Sequence, residues 1–394
     1  MYDVIVVGAR CAGAPTAMLF ARAGYRVLMM DRAKFPRDTL STLYIHQPGA
    51  AMLQRWGLLD AVIASGCPPV ERAVHQVGDV RLEGCSWPVD GVRAAYAPRR
   101  YLLDQILAEA AVAAGVDFRE GCAVESLIHE QGRVEGVRYR SPGGGTLEEH
   151  ARLVVGADGM RSRVATAAGA STITEHPLMT CIYYSFWEGV PAVFEAYGAP
   201  GRWVGSVPTN DELTLVAAYF PQSEFAAVRT DARNAYLESL RTVAPDLYRR
   251  VEAGSWVDRL YGSGDQRNFF RTAAGPGWAL VGDAGHHKDS ITAHGITDAF
   301  HQAAALVECI GDDLMEEPQL HQALTRYAER RDELVMDGYS DTLSVAKLKP
   351  QRRLRVLRMI AGDPVLTERF FATAAGACPS SELLTEDVLN RVRT

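Results

Sequence analysis

The residues of this chain that could do chemistry fall in a few short runs. Gly8-Ala9-Arg10-Cys11-Ala12-Gly13 spaces two glycines around a turn, and Asp31 follows 23 positions after the first of them. Free backbone amides at such a turn can hold a pyrophosphate, and an acid at that distance can hold ribose hydroxyls. Arg32 puts a positive charge beside the acid, and Arg100 supplies another farther on. Asp158-Gly159 and Gly282-Asp283 each close an apolar run, where Asp either forms a turn or accepts hydrogen bonds from a ligand. His286, His287, Lys288 and Asp289 are contiguous, and Ser290 to Gly295 then leads into Ile296. A metal site needs ligands converging from set spacings. Adjacent histidines point apart on a helix or a strand, so no metal site is predicted. His46 and His294 are the candidates for a polar or acid–base group beside a substrate, a structural hydrogen bond being the other reading of His294.

The hydrophobic pattern supplies the elements that must position these groups. Residues 3–7 are a β-branched run suited to a buried parallel strand, 14–23 are helical and closed by Gly24, and 26–30 form a second strand ending on Asp31. Strand, glycine turn, helix, strand and acid in register predict a dinucleotide-binding βαβ unit. Residues 153–156 and 278–281 read as further buried strands, and Arg99-Arg100 opens an amphipathic helix running to Ala114.

At 394 residues the chain exceeds what one core usually spans, so two domains built together are expected. The hydrophobic fraction of 47% and charged fraction of 23% suit a soluble globular protein. A net charge of −7 argues against nucleic-acid binding and leaves no basic face for a membrane. The seven cysteines form no C-x-x-C pair, which points to a reduced, cytoplasmic setting. The apolar start lacks a basic n-region, so neither a signal peptide nor a membrane span is predicted.

Taken in order, the glycine turn with its acid, the Asp158-Gly159 run and the Gly282-Asp283 run make the chain resemble the para-hydroxybenzoate hydroxylase-like flavoproteins. These include group A flavin monooxygenases, geranylgeranyl reductases and flavin-dependent halogenases. The resemblance implies an α/β fold: a Rossmann-like FAD-binding domain (1–70, 99–177 and 271–310), an inserted antiparallel β-sheet substrate domain (71–98 and 178–270), and a C-terminal helical region (311–394). It implies that Gly8, Gly13, Asp31 and Arg32 hold the ADP half of FAD. Arg10 stands where the middle glycine would be and either crowds the phosphate or helps to hold it. Arg100 would reach the phosphate and ribityl region, Asp158 would stiffen the fold near the pyrophosphate, and Gly282-Asp283 would meet the ribityl chain. The amides from about His294 to Thr297, among them those of Gly295 and Ile296, would face flavin N1 and O2. Ser290 replaces the proline of the monooxygenases, and Thr292-Ala293-His294-Gly295 replaces a Gly-Gly-Gln-Gly-like run. The polarity and shape of the cavity therefore do not carry over.

The implied activity is FAD-dependent monooxygenation of an aromatic or polycyclic small molecule through a flavin C4a-hydroperoxide. Dioxygen is the co-substrate, and the setting is secondary metabolism in a monomer or homodimer. Only one nucleotide fingerprint is present, so NAD(P)H is expected as a transient reductant, a separate flavin reductase being the other source of electrons. A geranylgeranyl reductase-like C=C reductase is the alternative, and a halogenase ranks lower. Gly205 departs from the halogenase Trp-x-Trp-x-Ile-Pro run, and Lys34 and Lys288 are the nearest lysines for such chemistry. Of Tyr183, Tyr184, Phe186, Trp187, Phe194, Tyr197 and Trp203, about half should face a ring-binding cavity, since alternate strand residues face opposite sides. Helices are expected at 231–252, 319–346 and 351–361.

Overall fold

The computed structural model describes residues 1–386 and 388. The first sheet is built around β1 (Tyr2–Val7), which runs parallel to β2 (Val27–Asp31) with Val4 opposite Val27. α1 (Gly13–Arg22) makes the crossover between them. Val4, Ile5 and Val6 are fully buried, because helices and strands cover both faces of this sheet. That is why these strands read as unbroken apolar runs. α2 (Gln47–Arg55) and α3 (Leu59–Ala64) lead out to the hairpin of β3 (Ala73–Val77) and β4 (Val80–Gly84). α4 (Arg100–Ala113) returns to β5 (Asp117–Glu120), the parallel neighbour of β2. β6 (Ala123–Glu130), β7 (Arg133–Arg140) and β8 (Thr146–Gly156) form an antiparallel meander, and the end of β8 lies parallel to β1 on its other side. α5 (Arg163–Ala167) and β9 (Thr172–His176) complete this half.

The second sheet contains β10 (Thr180–Glu188), β11 (Phe194–Ala199), β12 (Arg202–Pro208) and β13 (Leu213–Pro221). With the earlier hairpin its order is β10-β13-β12-β11-β3-β4. The expectation of an antiparallel sheet needs one correction: β11 pairs with β3 in parallel, Phe194 opposite Ala73. Those strands come from separate excursions of the chain, and a long connection does not impose the reversal that a hairpin does. Residues 94–96 make only isolated bridges, to Ile45 and Val70, rather than a strand. The pleat sorts the aromatic residues. Tyr184, Phe186, Phe194 and Trp203 pack toward Leu43, Tyr44 and Ile291 on the side of the first sheet. Tyr183, Trp187 and Tyr197 pack against the helices behind.

Those helices are α6 (Phe225–Thr230), α7 (Ala232–Val243) and α8 (Pro245–Ala253). The single helix expected at 231–252 is two, because Pro245 lacks an N–H and forces Ala244 out of helical geometry (φ −133°, ψ 62°). α9 (Gly295–Ile310) packs between α1 and α10 (Glu317–Ala346), followed by α11 (Leu354–Ala361) and α12 (Pro364–Ala374). Two arginines of the basic run at 351–361 are engaged within the molecule: Arg353 pairs with Asp341 and Arg358 with Asp79. Residues 387 and 389–394 of the expected C-terminal region lie outside the described residues. Among the described residues no helix is long and apolar enough to cross a membrane.

Arg331 of α10 is 1% exposed and ties α10 to the strand ends beneath it. It donates through Nη1 to the Gly285 carbonyl at 3.2 Å and through Nη2 to the Arg271 carbonyl at 2.8 Å. Arg331→Met should take a donor from each carbonyl, that of Gly285 keeping only the Arg271 amide at 2.8 Å, and cost about 2–3 kcal/mol. Urea unfolding checks this as a lower midpoint at unchanged slope.

Candidate active site

A groove of about 870 Å³ runs from the β1–α1 turn to the start of α9. Gly8, Arg10, Asp31, Arg32, Arg100, Asp158, Asp283, Gly295 and Ile296 all line it. Gly13 and Gly282 lie behind its wall, where their lack of a side chain sets the spacing. Gly8 has φ +105°, and a Cβ there would stand 2.3 Å from the Ala157 carbonyl oxygen. A Cβ on Gly13 would stand 1.8 Å from the Gly8 carbonyl oxygen, and one on Gly282 2.8 Å from Ala12 Cβ. The turn, the end of β8 and the start of α1 thus meet at backbone contact.

Buried carboxylates orient the positive charge along the groove. Asp104, four residues after Arg100 on α4, is fully buried and takes both arginines: Arg10 Nη1 at 2.7 Å and Arg100 Nη2 at 3.0 Å. The i, i+4 spacing of Arg100 and Asp104 was visible in the sequence, but the reach of Asp104 to Arg10 was not. Asp31 accepts from the Ala9 amide at 2.9 Å and the Ala33 amide at 2.8 Å, so it braces the glycine turn as well as lining the groove. Asp158 accepts from the Arg163 amide at 2.7 Å and from the Ser162 hydroxyl, which caps α5. Burial raises its pKa despite these donors. Asp283 is half exposed and stands 4.0 Å from His287.

Two helix N-termini open into this groove without side-chain caps. α1 has Ala12 at its N-cap and no acid in its first turn, and α9 has His294, which makes no capping bond. The first amides of each helix have no partner within the helix, so the α1 end attracts negative charge, while at α9 the first-turn acid Asp298 offsets part of that pull. Before α9, Ala293 adopts the left-handed conformation (φ 57°) that turns the loop. Ser290 joins that loop to the second sheet through Tyr219, 3.0 Å away, and donates to Gln266.

His46 and His294 come together but do not line the groove. Their rings stack at 4.1 Å and 12°, with the ring of Tyr44 edge-on to His46. Each Nε2 faces a carbonyl, that of Thr292 at 3.1 Å and that of Ala374 at 3.0 Å, so each must be the protonated ring nitrogen. His294 therefore has the structural hydrogen bond that was the other reading of it. Sequence reasoning missed the stretch Arg37–Thr42, which forms one wall of the groove. It has neither periodicity nor a motif to signal it. A second cavity of about 290 Å³ shares the wall at Asp38, Thr39 and Leu40 with the groove and is also lined by Leu43, Tyr184, Phe186, Arg259 and Tyr261.

The parallel sheet, the glycine turn and a groove served by two helix N-termini define a dinucleotide-binding flavoprotein. Residues 1–338 match the FAD binding domain family, and the chain belongs to it. It is an FAD-dependent oxidoreductase of the para-hydroxybenzoate hydroxylase-like superfamily. It is 24% identical to digeranylgeranylglycerophospholipid reductase 1 of Methanopyrus kandleri, covering 90% of this chain and 92% of the reductase. It is 28% identical to 6-methylpretetramide 4-monooxygenase of Streptomyces rimosus over 84% of this chain and 80% of that enzyme. It is 27% identical to tryptophan 2-halogenase of Chondromyces crocatus, over 76% of this chain, and spans 59% of the halogenase's length. The solved structure of the myxobacterial chondrochloren halogenase superimposes with a TM-score of 0.80 at 23% identity, covering 100% of this chain and 96% of the other.

Asp104→Asn should weaken the hold on Arg10 and Arg100. FAD affinity should then fall roughly ten- to hundredfold, equivalent to about 1.5–3 kcal/mol, read by titrating apoprotein with FAD. The stacked histidines predict a pH effect on stability. Burial, then the neighbouring His294, holds His46 well below its ordinary protonation range, and burial, then Lys288, pushes His294 down to about 3. The unfolded chain takes up these protons below about pH 6.5 while the folded protein does not. Stability should therefore fall as pH drops from about 6.5 toward 3, by about 1.4 kcal/mol per pH unit for each histidine. Urea unfolding at pH 7, 6 and 5 checks this, and His294→Gln should reduce the slope by one proton.

Proposed function

We propose that this chain is a monooxygenase that hydroxylates or epoxidises an aromatic or polycyclic small molecule, with NAD(P)H or a separate flavin reductase supplying electrons. The observation that carries the reading is the aromatic cavity that shares the wall at 38–40 with the groove. Tyr184 and Tyr261 stack at 5.2 Å, and Phe186 meets both edge-on. These faces favour a planar ring. The likeness to a monooxygenase along most of both chains supports it.

Gly8, Gly13, Asp31, Arg32, Arg10 and Arg100 are assigned to the ADP half and the phosphates, Asp283 to the ribityl chain, and the amides of Gly295 and Ile296 to the ring. Bound FAD supplies the electron and oxygen chemistry. The chain's own part is to position and to exclude water. The wall at 37–42 and the second sheet enclose the ring end of the groove. Tyr184 accepts from the Ser41 amide at 3.2 Å, which fixes the wall against the sheet. Residues 71–98 and 178–270 are assigned to substrate cover, the rest of the chain to 310 to the cofactor, and 311–394 to a helical buttress. A C=C reductase acting on a long prenyl chain is the second reading, favoured by the similarity to the archaeal reductase. A side cavity of about 290 Å³ suits a compact ring system better than such a chain.

Anaerobically reduced holoenzyme mixed rapidly with oxygenated buffer distinguishes the two. A monooxygenase should show a transient near-ultraviolet band before the oxidised spectrum returns. Reoxidation without that band, across a panel of aromatic compounds, would move the assignment to the reductase.

A further inference from the structure

We infer that the aromatic cavity takes a planar ring carrying a carboxylate, and that Arg259 is the residue that selects for that charge. The inference deepens the proposed function and rests on its reading of this cavity as the ring site.

Asp38 and Arg259 are the charged side chains that line the cavity. Asp38 is committed: its Oδ2 takes Arg99 Nη2 at 2.8 Å and its Oδ1 takes the Thr39 amide at 3.0 Å. Arg259 is not. Among the described residues its guanidinium forms no ion pair. The neighbouring acid, Asp258, is spent elsewhere, its Oδ1 on the Arg259 amide at 2.7 Å and its Oδ2 on the Tyr261 hydroxyl at 2.9 Å. The Arg259 guanidinium stands 4.8 Å from the centroid of the Tyr261 ring, and Tyr261 lines the cavity. The cation itself, not only its apolar stem, therefore sits against the aromatic wall.

The backbone that carries this charge is fixed to β10, the strand of Tyr184 and Phe186. The Val257 amide donates to the Phe186 carbonyl at 3.1 Å. The buried Ser185 hydroxyl stands 2.9 Å from the Asp258 carbonyl and 3.0 Å from that of Arg259. Tyr184 adds a second donor, since its hydroxyl accepts from the Ser41 amide and keeps its own hydrogen to give. A guanidinium stacked on an aromatic ring and free of protein carboxylates matches the planar, two-oxygen edge of a carboxylate. A neutral ring would fill the same space and leave that charge unanswered, so the discrimination between the two falls to Arg259.

The test is calorimetric titration of the FAD holoenzyme with 2-naphthoate and with 2-naphthamide at low salt, in the unaltered protein, Arg259→Gln and Arg259→Lys. The acid should bind about tenfold more tightly than the amide. Arg259→Gln should erase that preference by weakening the acid alone, and Arg259→Lys should keep part of it. Arg259 is exposed, so both variants should fold. Equal binding of acid and amide, or a preference that survives Arg259→Gln, would overturn the inference and leave the ring cavity standing. Binding of neither compound would overturn the inference and remove the cavity's support for the proposed function together. Titration needs no turnover, so each of these outcomes is independent of the oxygen test.

Discussion

Everything at this site depends on three backbone segments meeting where no Cβ fits. The glycine turn after β1, the start of α1 and the end of β8 touch through Gly8, Gly13 and Ala157, and Gly282 adds a fourth approach against Ala12. Side chains at those points would push α1 away from the strand ends. The free amides of α1 would then no longer open into the groove, and Asp31 could not brace the turn through the Ala9 amide. The packing of the parallel sheet and the electrostatics of the groove are therefore one constraint seen twice. A helix end is useful to an anion only when the chain can approach it without a side chain in the way.

The charges follow from that geometry. Inside a groove walled by an apolar sheet, an unpaired guanidinium or carboxylate is costly. Asp104 accordingly serves Arg10 and Arg100 together, and Asp158 is satisfied by its own turn. Where the groove reaches α9 the pattern changes: amides without caps, histidines held neutral by burial, and a lysine paired by charge but not by hydrogen bond. Polar groups left unsatisfied in a protein interior ask for an explanation. Here they concentrate around the first turns of α9, at the end of the groove away from the glycine turn.

The second sheet gives the site its cover. It takes β3 and β4 from one excursion of the chain and β10 to β13 from another. Its pleat sends Tyr184 and Phe186 to the groove side, and Tyr183 and Trp187 to the helices.

The βαβ unit was legible in the sequence because a buried parallel strand, a glycine turn and a terminal acid are local signals. Each is written within about thirty residues and survives without knowledge of its neighbours. The same holds for the strands ending at Asp158 and Asp283 and for the long C-terminal helices. The partners of remote side chains were not legible. Arg10 with Asp104, His46 stacked on His294, Lys288 beside Asp298 and Gly338, and the parallel pairing of β11 with β3 all join residues with no fixed spacing along the chain. Alternation could say that half the aromatic residues face a cavity, but not which half, since that depends on which face of the strand the rest of the fold covers. The sequence by itself determined the nucleotide-binding frame through backbone geometry, and only the tertiary structure decided where the charges, the aromatic cavity and the histidines stand relative to it.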